Sequence, residues 1–341
     1  MKMLPHSLRR IVNDLSCRLK KTVYLFQLNK FYQNRCVGTV YSPKILVAAG
    51  AGGIGNAVEA TGLVQAIRLL WPTCRLTFVT PYAELFENWC VVDRVIADPD
   101  TIRGEVFDHT FLAYVYEQEH FWHERCALGQ THAPRVWKKK WYLKNEREYY
   151  VDMVRRCGYK GPCPAAYVTI KKPAMRPPDA ARRVCIAACG SKDALWRHKR
   201  WPYYSDLVRR LCEQDSDVQI CIVGTRDDEL PVIQPASAAI IDLRGVYTLS
   251  ETAWLMRHAD LVIGNDSGPM HIADAVQAKG IVIFGPTCVI KNGPRNKIIP
   301  VSLSRKCSPC QYTEALETCE NPECMQNLTA DVIMERIGSI R

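Results

Sequence analysis

From Asp260 to Thr287 the chain reads DLVIGNDSGPMHIADAVQAKGIVIFGPT, and no other stretch constrains the fold as tightly. Leu261 to Gly264 is a short apolar run, as expected for a buried strand. Asn265, Asp266, Ser267, Gly268 and Pro269 form a sharp polar turn. Met270 to Ala278 has helical character, and Ile281 to Phe284 is a second apolar run. Strand, turn, helix and strand in that order predict one unit of a parallel α/β sheet. The turn also collects a carboxylate, a hydroxyl and unpaired backbone N–H groups at a helix start. The macrodipole favours an anion there.

The same alternation runs through the rest of the chain. Lys44 to Ala49 predicts a buried strand that enters Gly50-Ala51-Gly52-Gly53-Ile54-Gly55-Asn56. A helix follows, with Leu63, Ala66, Ile67 and Leu70 on one face, and stops near Trp71-Pro72. Leu76–Val79, Arg94–Ile96 and His109–Ala113 predict further strands, and Trp137–Arg156 a long charged helix. Lys171 to Arg183 carries Pro173, Pro177 and Pro178 and reads as a linker. Beyond it the pattern restarts: strand Val184–Ala188, helix Pro202–Cys212, strand Gln219–Val223, and helix Glu251–His258 with Ser250 as N-cap.

The expected organisation is therefore α/β, with two Rossmann-like domains facing a central cleft. The segments are a basic extension over 1–43, an N-terminal Rossmann-like domain over 44–172, a linker over 173–183, and a C-terminal Rossmann-like domain over 184–341 ending in a Cys-rich tail. A length of 341 residues suits two cores. No run approaches the roughly 18 apolar residues of a membrane span, and the N-terminus lacks a secretory apolar core. Many of the 16 cysteines sit within apolar runs (Cys185, Cys189, Cys221), which favours a reducing, cytoplasmic setting over a disulfide scaffold. Met1 to Arg35 holds eight Lys/Arg against one acidic residue. Leu8, Ile11, Val12, Leu15 and Leu19 recur there at helical spacing. The stretch reads as a basic amphipathic helix lying on an anionic membrane face, as a helix packed onto the following domain, or as a solvated arm.

Several constellations carry chemistry. Gly50, Gly52 and Gly55 match the dinucleotide fingerprint, but Leu76–Val79 ends in Thr80-Pro81, with no acid placed for a ribose hydroxyl. This leaves a tight turn, or a turn that lets a substrate approach the backbone, as alternatives to NAD binding. Gly190-Ser191-Lys192, followed by Arg197-His198-Lys199-Arg200-Trp201-Pro202, places cations after the first strand of the second domain, suited to phosphates. Asp227, Asp228 and Glu229 fit a capping role at least as well as a ribose contact. Asp266, Ser267 and His271 at one helix start point to anion binding rather than a nucleophilic triad, whose members come from distant segments. Cys307, Cys310, Cys319 and Cys324 are spaced loosely like a four-thiolate zinc site, with free thiols as the alternative.

Taken together, GAGGIGNAVEATGLVQAIR, the KRWP motif at Lys199–Pro202, GNDSGPMHIADA followed by IFGPT, and the CSPC…CM tail resemble glycosyltransferase family nine, the heptosyltransferase-like family with the GT-B fold. The resemblance covers roughly Lys44 to Leu328. It implies inverting, metal-independent transfer from a nucleotide-sugar, typically ADP-heptose, to a lipopolysaccharide core, with no separate cofactor and no nucleic-acid partner. It places Gly53, Gly55, Ser191, Lys199, Asp266, Ser267, Gly268 and His271 at the donor. The family's base is an aspartate in a Gly-Asp pair of the first loop, where this chain has Asn56. An amide cannot take a proton at neutral pH. Glu59, one helical turn on, is the carboxylate expected in its place. A non-catalytic sugar-nucleotide or glycan-binding protein is the competing expectation.

Overall fold

The computed structural model describes residues 41–340 apart from 115–116, 136–142, 189, 191–193 and 229–239. The basic helix expected near the N-terminus and Ser191 both lie outside the described residues. The chain divides into two compact units, the second beginning at Ile170 and also taking in Asn145 and Glu146.

The first unit runs β1 (Lys44–Ala48), α1 (Ile54–Leu70), β2 (Arg75–Val79), β3 (Arg94–Ile96), β4 (Val106–Leu112), α2 (Glu119–His123) and β5 (Ala127–His132), then α3 (Glu146–Arg156), of which Glu146 groups with the second unit. Its five strands are ordered β3-β2-β1-β4-β5, with every ladder parallel. Ile45, Leu46, Val47 and Ala48 are fully buried, because helices cover both faces of a parallel sheet. Leu46, Ala48, Val79, Ile102, Phe107, Leu112 and Trp122 form part of the core on one face.

The second unit runs β6 (Arg182–Ala187), α4 (Tyr204–Gln214), β7 (Val218–Ile222), β8 (Ile240–Asp242), α5 (Leu249–Arg257), β9 (Leu261–Asn265), α6 (Gly268–Ala275), β10 (Gly280–Phe284), α7 (Val289–Asn292) and β11 (Ile298–Ser302). Three helices close it: α8 (Glu314–Glu317), α9 (Glu323–Gln326) and α10 (Ala330–Ser339). The strand order is β11-β10-β9-β6-β7-β8, again all parallel. Pro300 lacks an N–H, and it sits in β11 at the sheet edge, where a missing donor is tolerated.

Both sheets are doubly wound. In each, the strand order reverses beside the first strand, between β1 and β4 and between β6 and β9. In open α/β sheets, ligands bind at the carboxyl ends of strands at such a point. The glycine loop leaves β1 at one reversal, and the polar turn leaves β9 at the other.

Several local expectations change. The long charged helix is interrupted at Leu143–Lys144, and α3 begins at Glu146; Trp137–Tyr142 lie outside the described residues. The N-cap of α5 is Thr248, not Ser250. The Thr248 hydroxyl accepts from Glu251 N, and the Glu251 carboxylate accepts from Thr248 N, a capping box that Ser250 is too far along the helix to make. β5, β8 and β11 are strands that the sequence pattern did not mark.

Candidate functional site

The site in the second unit is built on the end of β9. Gly264 allows it: a Cβ there would lie 2.6 Å from Met270 Sδ and 2.9 Å from the Ala187 carbonyl, so only glycine lets β9 pack this closely. Asn265 follows, fully buried. Its side-chain oxygen accepts from Trp201 N (3.1 Å) and the Tyr204 hydroxyl (3.0 Å), and its Nδ2 donates to the Ala188 carbonyl (2.8 Å). One amide thereby ties the Lys199–Pro202 segment and the end of β6 to β9. The sequence pattern gave Asn265 no role beyond the turn, since its partners lie more than sixty positions away.

Asp266 is 3% exposed. Burial alone would raise its carboxyl, but Lys199 foremost, then His271 and Asn292, hold it below the ordinary carboxylate range. Lys199 Nζ lies 3.3 Å from Asp266 Oδ2, Asn292 Nδ2 donates to the same oxygen at 2.9 Å, and His271 Nε2 is 3.9 Å from Oδ1. The network continues through Lys291 Nζ, which donates to Asn292 Oδ1 (3.2 Å) and to the buried Glu146 carboxylate (2.9 Å). Burial opposes the Lys291 charge, but Glu146 more than offsets it and holds the ammonium above its ordinary value. Asp266 thus fixes Lys199 at the mouth of the turn while remaining ionised.

Ser267 is the N-cap of α6, yet its side chain makes no capping bond. Its Oγ is buried and, among the described residues, has no hydrogen-bond partner. Gly268 and Pro269 open the helix with their backbone, and His271 stands in the first turn. An orphaned hydroxyl at a helix start beside a lysine fits an anion. Of the predicted donor residues, the structure brings together Lys199, Asp266, Ser267, Gly268 and His271.

The Cys-rich tail holds these loops. Cys310 N and Gln311 N both donate to the Pro286 carbonyl (2.9 and 3.0 Å), and Ser308 Oγ to that of Gly285 (2.6 Å). Trp201 Nε1 donates to the Leu328 carbonyl (2.5 Å), and His198 Nε2 meets that of Cys319 (2.9 Å). Cys307, Cys310, Cys319 and Cys324 line one cavity of about 520 Å³. Burial, with the neighbouring thiols, pushes Cys324 up to about 11. Among the described residues, no group of three or more His, Cys, Asp or Glu is arranged to hold a metal ion.

In the first unit the glycine loop is already bonded. Glu117 Oε2 accepts from Gly50 N (2.9 Å) and Ala51 N (2.8 Å), and its Oε1 accepts from Trp122 Nε1 (2.9 Å). Asn56 Oδ1 accepts from Gly53 N (3.0 Å), and its Nδ2 is 3.4 Å from the Tyr150 hydroxyl. A Cβ on Gly52 would lie 2.6 Å from Asn56 Cβ, so the loop and this side chain fit as one piece. The Gly50, Ala51 and Gly53 amides are therefore taken by side chains, not offered to a phosphate. These bonds engage the Gly53 amide and its neighbours within the loop itself. Gly55 lies in the first turn of α1.

Glu59 is the carboxylate that the sequence singled out in this unit. It is 2% exposed, and its carboxylate is gripped by Arg147, with Nε to Oε2 at 2.8 Å and Nη2 to Oε1 at 3.3 Å. A base must reach the proton it removes. Glu59 is instead half of an interior ion pair. Sequence reasoning missed Arg147 and Glu117 because each acts on a residue more than sixty positions away.

The model of glycosyltransferase family 9 (heptosyltransferase) matches residues 129–320, more than half of the chain. Lipooligosaccharide heptosyltransferase 2 of Campylobacter jejuni is 27% identical over 155 residues, 42% of this chain and 47% of that protein. The chain thus spans about half the length of the curated relatives it matches most strongly. Among solved structures, Escherichia coli ADP-heptose LPS heptosyltransferase II is similar with a TM-score of 0.64 at 15% identity, covering 87% of this chain and 98% of that one. The family 9 glycosyl transferase of Veillonella parvula gives 0.65 at 14% identity, covering 88% and 97%. At such identities these two likenesses speak for the fold, and the expected pair of Rossmann-like units is the GT-B type they share. Matched over most of its length by the family's own model, the chain belongs to glycosyltransferase family 9, the heptosyltransferase family.

Proposed function

We propose that this protein is an inverting, metal-independent glycosyltransferase that moves a sugar, heptose by the family's habit, from ADP-heptose or a similar nucleotide-sugar to a lipopolysaccharide-core or related glycan acceptor. One observation carries the reading. Lys199, held 3.3 Å from a buried Asp266, stands with the Ser267 hydroxyl, unpartnered among the described residues, at the start of α6. The acceptor hydroxyl attacks the anomeric carbon, the bond to the diphosphate breaks with its electron pair leaving on the phosphate oxygen, and the hydroxyl proton passes to water. Lys199 and the α6 N–H groups meet the charge that develops there, so no metal is required of the leaving-group side. Asn292 and His271 keep Asp266, and through it Lys199, in place.

The acceptor side falls to the glycine loop of the first unit. Asn56 can orient a hydroxyl but not take its proton. Glu59 is enclosed by Arg147. These two facts favour the second reading, a non-catalytic nucleotide-sugar or glycan-binding protein. In the first reading the basic stretch Met1–Arg35 keeps the protein beside an anionic, lipid-linked acceptor at the inner membrane face. No described helix is long and apolar enough to cross a membrane.

Nucleotide release from ADP-heptose, with a lipopolysaccharide-core acceptor, is the deciding assay. Turnover that falls by about a hundredfold in Lys199→Ala supports the transferase. Nucleotide-sugar bound but never turned over, with any donor tried, supports the binding protein instead.

A further inference from the structure

Trp71 caps the far end of α1 from the glycine loop, and the 17-residue helix separates them by about 25 Å. Beside Trp71 the first unit holds a cavity of about 520 Å³ that none of the chemistry above uses. Its wall includes Trp71, His109, Gln130, His132, Arg135 and Arg156, and among the described residues no carboxylate lines it.

Its charges are organised. Arg156 Nη2 donates to the Ala133 carbonyl (2.8 Å), which holds the guanidinium at the wall. Arg135 lies close enough that its charge, after burial, pushes the Arg156 guanidinium down. Asp152, the carboxylate that favours Arg156, is itself hydrogen-bonded to Arg155 at 2.9 Å. Neither Arg135 nor Arg156 forms an ion pair among the described residues. The two histidines form a relay: His109 Nδ1 is 3.2 Å from His132 Nε2, and the Tyr41 hydroxyl is 3.2 Å from His109 Nε2. Burial, with the His109 and Arg156 charges, pushes His132 down to about 4. It is therefore a neutral hydrogen-bonding group at pH 7. Trp71 stacks on His109, with ring centroids 4.9 Å apart, and closes one side with an aromatic wall.

The two guanidiniums repel each other, Asp152 offsets only part of that at Arg156, and a dianion between them removes the rest. We propose that this cavity is a phosphomonoester-binding site, remote from the glycine loop, in which Arg135 and Arg156 grip the phosphate and His132 supplies a neutral hydrogen bond. A phosphomonoester carries about −1.5 to −2 charge at pH 7, the right amount to neutralise two arginines, and a guanidinium presents paired N–H groups to its oxygens. The phosphate comes either on a soluble sugar or on a lipid.

The test needs no turnover, so it stands or falls separately from the transferase reading. The full chain carrying Lys199→Ala, which removes a donor-side phosphate contact, is titrated calorimetrically with glucose 6-phosphate. It is also co-sedimented with phosphatidylcholine vesicles containing phosphatidic acid. Saturable binding of the sugar phosphate, but not of glucose, points to a soluble ligand. Binding of the vesicles alone points to a lipid headgroup. In either case Arg135→Glu weakens binding by at least about tenfold, the scale of a lost charge-assisted contact. Arg135 is exposed, so this variant keeps its fold, which its melting curve checks; Arg156→Gln is the second variant. Failure of both probes to bind saturably, or binding that both variants leave unchanged, overturns the site.

Discussion

Asp266 is ionised in a place where burial opposes the charge, and this sets its pH behaviour. Its folded-state value lies below the ordinary 3.8. The stability it contributes is therefore fully present above 3.8 and is lost as pH falls through the lower folded value. Donor binding is expected to hold across the neutral range and to fail only in strong acid, as followed by fluorescence titration. Asp266→Asn leaves Lys199 without its anchoring charge, and nucleotide-sugar affinity should drop by about tenfold or more. Glu59 behaves differently. Truncating one partner of a buried ion pair strands the other, at a cost of about 3–5 kcal/mol. Glu59→Ala is expected to lower the melting temperature sharply. The milder Glu59→Gln should leave turnover per folded molecule unchanged, and a specific loss of turnover without loss of stability would restore Glu59 as a base. The residue types at these positions were legible in the sequence. Their roles were not, because Asp266 and Glu59 are both carboxylates near a helix start, and only their partners separate them.

At the level of the elements, the two loops that leave β1 and β9 are held by opposite means. The glycine loop is closed by side chains: Glu117 takes two of its amides and Asn56 a third. The start of α6 is left open, with the Ser267 hydroxyl unbonded among the described residues. A loop whose amides are satisfied internally is a shaped surface, and an open helix start is a binding group. Glu117→Gln keeps the shape of the side chain but weakens charge-assisted bonds to Gly50 and Ala51. Faster hydrogen exchange at those two amides is expected, with donor affinity unchanged. Asn265→Ala should act in the other unit. It frees the Lys199–Pro202 segment from β9, leaves buried groups unpaired, and costs about 1–3 kcal/mol together with much of the donor affinity. Glycine spacing made the turn at residues 50–56 visible in advance. It could not distinguish a phosphate cradle from a loop already filled by Glu117, since the acid that fills it arrives from beyond β4.

For the whole molecule, two units with separate cores predict unfolding that is not a single two-state event. Calorimetry is expected to resolve two overlapping transitions. A nucleotide-sugar at a hundredfold its dissociation constant should raise only the one that carries β9 and α6, by about 2.7 kcal/mol. Two parallel sheets followed from the sequence alone, because strands buried on both faces must be short apolar runs, and ILVA, QICI, LVI and GIVIF are that. The proline-bearing stretch before β6, the polar turn after β9 and the cationic segment around Lys199 were legible for similarly local reasons. The edge strands β3, β5, β8 and β11 carry weaker patterns, since water reaches one side of them, and three of these were missed. What the sequence by itself determined was the alternation of elements and the identity of the turn at Asp260–Thr287, both properties of neighbouring residues. Only the tertiary structure decided which groups remain available for chemistry. That depends on partners brought together from distant positions: Arg147 closing over Glu59, Glu117 filling the glycine loop, and the hydroxyl of Ser267 left without a partner among the described residues.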